Sequence, residues 1–298
     1  MTPWRTRPKF GAVQKVLTKP SAESIKALVL RGPLPPSFVG FFGCKLLRLI
    51  LTVQGLGAFA LITLGVMFSK LGTARSVLRP LIRSQLAHAG VRLLPMVLFL
   101  SFALGLVVIG QTVSLLSRVG ANEYLGTVMV TAVLRELGPL LTALLVLSRV
   151  GAANVIELAT ARALGEVEAL EALGIDPIHY LVVPRVIGMA LSVFALTIYL
   201  NLCALASGYL WAFLQDVPLK PGEYVQQIAG ALEGLDFVLI ALKTCFFGVI
   251  IATVTCYHGL AQPLRLEEVS AATIRAVAQC VILCVMLDAL FIVIYLVG

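Results

Sequence analysis

Two adjacent charges, Arg135 and Glu136, stand in the stretch LRELGP, inside an otherwise apolar run from 124 to 148. Two more charges lie in later apolar runs: Lys243 and Asp288. An ionisable group at the centre of a lipid-facing helix costs about 2.5–3.5 kcal/mol on insertion scales, so such groups face a protein interior or a wet cavity. Two interpretations stay open: a network that ties three helices together, or a polar site for a head group or a proton.

The residues behind the first pair of charges favour a bend. Pro139 has no backbone N–H and removes one helical hydrogen bond, and Gly138 relaxes the same turn. A bent helix suits the wall of a cavity. An amphiphile in that cavity would place its head near the charges and its tails against apolar walls.

The composition indicates which solvent surrounds these segments. Of 298 residues, 59% are hydrophobic and 13% charged, whereas a soluble domain has about half apolar and a quarter charged residues. The chain is therefore predicted to be a polytopic membrane protein. Its net charge of +8 lies mostly beside apolar segments, so we expect no nucleic-acid partner. The six cysteines lie in or beside apolar segments without zinc-type spacing, so no metal site is expected.

Five apolar segments are long enough to span a membrane. They are 94–117, 124–148, 186–214, 237–258 and 274–297. Lys and Arg concentrate on the cytoplasmic side of membrane proteins, and residues 70–92 carry five of them. The charges of the later loops alternate consistently with this orientation. The prediction is an all-α polytopic protein with a cytoplasmic N-terminus and a C-terminus on the outer side.

The segment 49–69 is a sixth long apolar stretch, flanked by basic residues on both sides. If it spanned, one basic cluster would lie outside, against the rule for Lys and Arg. An interfacial or re-entrant helix is therefore favoured, and a sixth span is the alternative. Residues 1–40 are basic and interrupted by prolines, which is typical of an extension or linker.

The predicted cytoplasmic loop 149–185 contains an apolar stripe at intervals of three residues, typical of a helix. Its members are Leu164, Val167, Leu170 and Leu173, and the acidic residues Glu166, Glu168 and Glu171 lie off it. Gly174 suits a helix end, Asp176 an N-cap, and Pro177 the first position of a following helix. The loop is predicted to form a short helix, a tight turn and a second short helix. Because the inner leaflet attracts basic segments, the acidic face favours a protein partner.

The sequence contains no motif for binding and hydrolysing ATP. It contains no G-x-x-x-x-G-K-[ST] phosphate loop, no paired catalytic carboxylates and no Ser/His/Asp set. The three histidines, His88, His179 and His258, are isolated along the chain. We expect a permease rather than an enzyme, driven by a separate ATPase that would bind ATP and Mg.

The stretch from Leu134 to Arg185 closely resembles the MlaE/YrbE permeases, the membrane subunits of MCE-type ABC lipid transporters. Four motifs carry the resemblance: the RELGP box, the small residues and Glu157 after Arg149, the LGIDP turn, and the terminal VPR. On this basis 93–298 would be the permease domain and 41–92 its interfacial or re-entrant helices, preceded by the extension 1–40.

The resemblance implies an elbow helix and five spans in a homodimer in a bacterial inner membrane. A coupling helix, here about 161–174 and including Arg162, would dock the ATPase, and a ring of MCE proteins would cover the periplasmic face. Lipid, plausibly phospholipid, would pass through a cavity at the dimer interface. Glu136 and Lys243 match polar residues of that cavity, and Arg135 and Asp288 are candidates beside them. A proton-coupled secondary transporter and a non-transporting scaffold are the alternatives.

Overall fold

The computed structural model describes residues 54–67, 75–120, 124–214, 221–260 and 266–297. Within these ranges all regular structure is helical, and no strand occurs. In chain order the helices are α1 (Gln54–Met67), α2 (Leu78–Val119), α3 (Leu125–Ala163), α4 (Glu166–Ala172), α5 (Ile178–Leu214), α6 (Pro221–Ala231), α7 (Gly234–Leu260) and α8 (Val269–Val297).

Five of these helices are long and apolar enough to cross a membrane: α2, α3, α5, α7 and α8. Each matches one of the five predicted spans to within one residue or extends beyond it, so the all-α polytopic architecture is confirmed. The chain passes up and down the bundle. The α3–α5 connection, residues 164–177, defines one end, which we call the connection end, and α6 lies at the opposite end.

Helix α5 occupies the centre of the bundle and packs against α2, α3 and α7. Small residues permit these close approaches. A Cβ added to Gly248 of α7 would lie 2.5 Å from the Cα atom of Ala190 in α5. Because lipid tails are as apolar as the side chains, helices in a membrane associate through such tight packing rather than through hydrophobic burial.

The described part of the segment 49–69 is α1, a helix of 14 residues. At about 1.5 Å per residue it is shorter than the roughly 30 Å hydrocarbon core. Phe59 is buried and its ring meets Tyr257, near the connection end of α7, edge-on at 5.8 Å. This contact agrees with an elbow helix, but residues 49–53 and 68–69 lie outside the described ranges. Residues 1–40 lie outside them too.

Two predicted loops are largely helical. Residues 75–89 are helical, and from Leu78 onward they form the first part of α2. Helix α3 continues to Ala163 and α5 already begins at Ile178, so most of the segment 149–185, predicted to contain two short helices, consists of the ends of these two long helices. Apolar composition identifies only the part of a helix that lies in lipid. The helix itself can continue into water, because its backbone hydrogen bonds do not depend on apolar side chains.

Candidate functional site

Three of the four predicted intramembrane charges meet in one cluster. The Lys243 Nζ atom lies 2.7 Å from Glu136 Oε2 and 2.7 Å from Asp288 Oδ1. We call these three residues the Lys243 triad. Their side chains come from α3, α7 and α8, so the ion pairs join three membrane helices. The first of the two interpretations, a network that ties helices together, therefore has a structural basis.

The backbone of α3 contributes to the same cluster. Lys243 also donates a hydrogen bond to the carbonyl oxygen of Arg135, at 3.0 Å. Lys243 therefore contacts both the side chain of Glu136 and the backbone of α3.

The bend expected at Gly138 and Pro139 takes the form of a π-helix over Val130–Leu137. In a π-helix residue 139 would bond to the carbonyl of Leu134, and this oxygen instead accepts from Asn201 Nδ2 at 3.4 Å. Gly138 lies against the same asparagine, and a Cβ there would collide with its Oδ1 atom. π-Helical turns are rare and occur frequently at functional sites.

Arg135 points away from the triad and forms a second layer nearer the opposite end. Its Nη2 atom donates to Asp236 Oδ2 at 2.8 Å, and its guanidinium lies over the Tyr295 ring, 5.0 Å from the centroid. Asp236 also accepts the backbone N–H of Glu233 at 2.9 Å. We call Arg135, Asp236 and Tyr295 the outer layer.

The sequence analysis missed Asp236 and Tyr295. Asp236 lies just before the predicted span 237–258, yet it is buried in the first turn of α7. A signal was present: Asp236 precedes Lys243 by seven residues, and Asp288 precedes Tyr295 by seven. Seven residues are about two helical turns, so each pair lies on one face of its helix.

The two layers differ in exposure. The Lys243 side chain is completely buried, whereas those of Glu136 and Arg135 keep 24% and 21% of their surface exposed. Neighbouring residues of α3 therefore present one carboxylate and one guanidinium to the outside of this single chain. These are the groups that an amphiphilic ligand or a second subunit could reach.

An apolar groove of about 450 Å³ lies apart from these charges, between α2 and α5. Its lining residues are Phe102, Cys203, Ala206, Ser207, Tyr209, Leu210 and Phe213. Neither layer contributes a side chain to it, so the groove does not belong to the charged site.

At the connection end, the predicted turn is present in detail. Gly174 has φ +76° and ends α4, and Asp176 Oδ1 accepts the N–H of Ile178 at 3.1 Å. The helix expected over 161–174 is, however, broken at Gly165, which has φ +79°. Arg162 therefore belongs to the end of α3, and α4 is only seven residues long. The second short helix is the start of α5 rather than a separate element.

The apolar stripe of α4 is only partly used within the chain. Val167 is buried against the bundle, whereas Leu164 and Leu173 are 64% and 76% exposed. The three glutamates are exposed as well. Burial, together with the nearby Glu168, raises the pKa of Glu171 above its ordinary value. A basic partner surface would relieve this crowding of negative charge.

A family model, Permease MlaE, matches residues 82–294. The chain belongs to the MlaE permease family. A probable ABC transporter permease protein of Rickettsia felis is 33% identical over 241 residues, covering 79% of this chain and 90% of that protein. A homologue from Rickettsia prowazekii with the same description is 34% identical over 213 residues, covering 70% and 82%.

A plant protein is also similar. Protein TRIGALACTOSYLDIACYLGLYCEROL 1 from the chloroplast of Arabidopsis thaliana is 32% identical over 197 residues, covering 65% of this chain and 55% of that protein. Together, these comparisons make the chain an MlaE-family ABC permease subunit, a multi-pass membrane protein that works with an ATPase partner.

In this MlaE-family chain the matched region contains the whole of α4 and every member of both layers except Tyr295, which lies one residue beyond it. Within the described ranges no group of three or more His, Cys, Asp or Glu side chains could hold a metal ion. The charged side chains of the two layers are groups that recognise ions, and the carboxylates among them can also exchange protons.

Proposed function

We propose that this chain is the permease subunit of an ABC transporter that moves lipid, most simply phospholipid, between a bacterial inner membrane and periplasmic MCE proteins. The observation that carries the proposal is the charged site inside an apolar bundle of an ABC permease. Arg135 and Glu136 remain partly exposed beside the buried Lys243. A zwitterionic or anionic head group could contact them while its acyl chains stay among apolar side chains.

The relatives support a lipid substrate. The Arabidopsis protein bears the name of a galactolipid, and such a molecule combines a polar head with two acyl chains. For the present chain, Arg135 is the group suited to a phosphate, because a guanidinium binds phosphate oxygens through two parallel hydrogen bonds. Binding would require it to release Asp236.

The connection end supports docking of the ATPase. The exposed leucines at either end of α4 and the exposed glutamates on it form a small surface of mixed character. A short helix of this kind needs a partner to cover its apolar residues. We propose that α4 and Leu164 form the coupling surface, that the partner ATPase binds ATP and Mg, and that this end is cytoplasmic.

A homodimer completes the proposal. The charges at the open side of α3 face outward in a single chain, and a second copy would enclose them in a cavity shared between two subunits. An MCE protein ring would then cover the opposite, periplasmic end, to which the outer layer is nearer.

Native mass spectrometry of the complex, extracted gently from its own membrane, tests the proposal. We expect two copies of this chain, two ATPase subunits and a bound lipid. A lone chain under several mild conditions would contradict the ABC assembly. In that case, transport that follows a proton gradient without ATP would favour a secondary transporter using Glu136 or Asp288, and a chain that moves no lipid would be a scaffold.

A further inference from the structure

A second ion pair lies near the connection end, between Glu157 of α3 and Arg185 of α5. Glu157 Oε1 and Arg185 Nη2 are 2.7 Å apart. The Arg185 side chain is 5% exposed and that of Glu157 is 67% exposed. The site described above makes no use of either residue, although both stand in motifs that the sequence analysis singled out.

The position of this pair relative to α4 is specific. Glu157 lies six residues before the end of α3, and Arg185 lies seven residues after the start of α5. Each is therefore about 10 Å from the connection, at roughly 1.5 Å per residue. All of α4 lies on the chain between them. The pair therefore joins the helix that leads into the proposed coupling surface to the helix that leads out of it.

A second contact lies one turn further from the connection. Asn154 Nδ2 and Met189 Sδ are 3.3 Å apart, and both residues are buried. Asn154 precedes Glu157 by three residues and Met189 follows Arg185 by four, so the two contacts share one face of each antiparallel helix. The ends of α3 and α5 are therefore joined at two successive turns. The ion pair lies on the turn nearer the connection.

The contact between the ends of α3 and α5 depends on Glu157, because Glu157 balances the charge of Arg185. Arg185 is buried, and its Nε and Nη1 atoms have no hydrogen-bond partner among the residues that the structure describes. Its guanidinium thus relies on a single carboxylate, and that carboxylate faces water. When one partner of a buried ion pair is removed, the other is left as an uncompensated buried charge. The two helix ends would then separate or rotate to let water reach the arginine.

We propose that Glu157 and Arg185 act as a clamp that makes the ends of α3 and α5 move as one body. Displacement of α4 by the ATPase would then travel along α3 to Arg135 and Glu136 instead of being absorbed by separation of the helices. The two residues are positioning residues, since neither touches the lipid site. This inference rests on the proposed function, because it presumes an ATPase on α4 and lipid at the charged site.

The test measures ATP hydrolysis and transfer of a fluorescent phospholipid in parallel, in proteoliposomes that contain the complete complex. For Glu157→Gln we expect the ATPase to remain bound at wild-type stoichiometry and to keep hydrolysing ATP. Lipid transferred per ATP should fall about fivefold or more, the low end for energetic coupling between distant sites. The matched control is Glu267→Gln, an exposed glutamate on the α7–α8 connection, which should leave both rates unchanged.

The double variant Glu157→Gln with Arg185→Gln guards against a simple folding defect, because it leaves no buried charge. We expect it to assemble and to remain uncoupled. Wild-type transfer per ATP in the double variant overturns the clamp. Failure of both variants to assemble also overturns it and makes the pair purely structural. A wild-type complex that transfers no lipid with ATP overturns the proposed function instead.

Discussion

At the scale of single residues, the charges of LRELGP differ in role because adjacent side chains on α3 point to different layers. Glu136 joins the buried Lys243, and Arg135 joins Asp236 and Tyr295. An ion pair out of water gives little net stability, since desolvation offsets most of the attraction. Because the ion pairs give little net stability, we propose that these charges also recognise a polar head group.

Glu136→Ala tests this role. The substitution removes a partly exposed carboxylate, while Lys243 keeps Asp288 as a counter-ion, so the complex should still assemble. We expect ATP-dependent lipid transfer to fall by at least about tenfold, which corresponds to 1.4 kcal/mol. Assembly is measured by co-purification of the ATPase and transfer by a fluorescent phospholipid assay. Glu268→Ala, at an exposed site, serves as the control. A variant that does not assemble would show that Glu136 is structural.

At the scale of elements, the π-helix of α3 links Gly138 and Pro139 to the geometry of the charged site. Pro139 leaves the carbonyl oxygen of Leu134 without its π-helical donor, and Asn201 donates to it. Lys243 donates to the carbonyl oxygen of Arg135 in the same turn. Gly138 is required because α5 passes so close. The bend, the lysine and the asparagine thus form one arrangement, in which a change at any position disturbs the others.

Gly138→Ala should therefore destabilise the chain, although alanine is normally the better helix former. The added methyl collides with Asn201, and overpacking of this kind costs about 1–3 kcal/mol. The melting temperature of the purified complex is the measurement. Gly230→Ala provides a matched control in α6, because nothing lies within 4 Å of a Cβ at that position. Equal melting temperatures for the two variants would contradict the close approach of α5 to α3.

Helix α4 is the other element with an assigned role. Reversing its acidic face with Glu166→Lys, Glu168→Lys and Glu171→Lys should loosen the ATPase without unfolding the bundle, since all three side chains are exposed. Quantitative co-purification measures the effect. Reversal of Glu267 and Glu268, on the neighbouring connection, is the control. If the ATPase still co-purifies at full stoichiometry with the triple variant, docking takes place elsewhere.

At the scale of the whole molecule, the Lys243 triad is the point where three membrane helices are joined electrostatically. The helices otherwise associate through close packing of small residues. Because α3, α7 and α8 meet at Lys243, its loss should affect the assembly of the entire bundle rather than one local contact.

Lys243→Met should lower the yield of folded protein sharply, because the buried Asp288 and the partly buried Glu136 lose their counter-ion, at a cost of about 3–5 kcal/mol for a buried pair. Neutralising the whole triad, with Lys243→Met, Glu136→Gln and Asp288→Asn together, should recover most of the yield and still abolish transport. Gel-filtration yield in detergent and lipid transfer are the two measurements. If the triple variant folds no better than Lys243→Met, the network is not governed by charge balance.

Much of the architecture was predictable because the sequence carries it locally. A run of about 20 apolar residues identifies a span wherever its neighbours lie, so all five spans were predicted correctly. The turn at Gly174, Asp176 and Pro177 was predictable for the same reason, since capping depends on adjacent residues. The break at Gly165 was missed, because the apolar stripe continues across it and only the backbone reveals the left-handed conformation.

The sequence by itself determined that the chain is a membrane protein and where its five spans lie. It also determined that charges within those spans must find partners. Only the tertiary structure decided which partners they find. Arg135 and Asp236 are 101 residues apart, and Glu136 and Lys243 are 107 apart. Such pairings depend on the rotation and register of helices distant along the chain, which follow from the packing of α3, α5, α7 and α8 as a whole. No spacing within one helix specifies them.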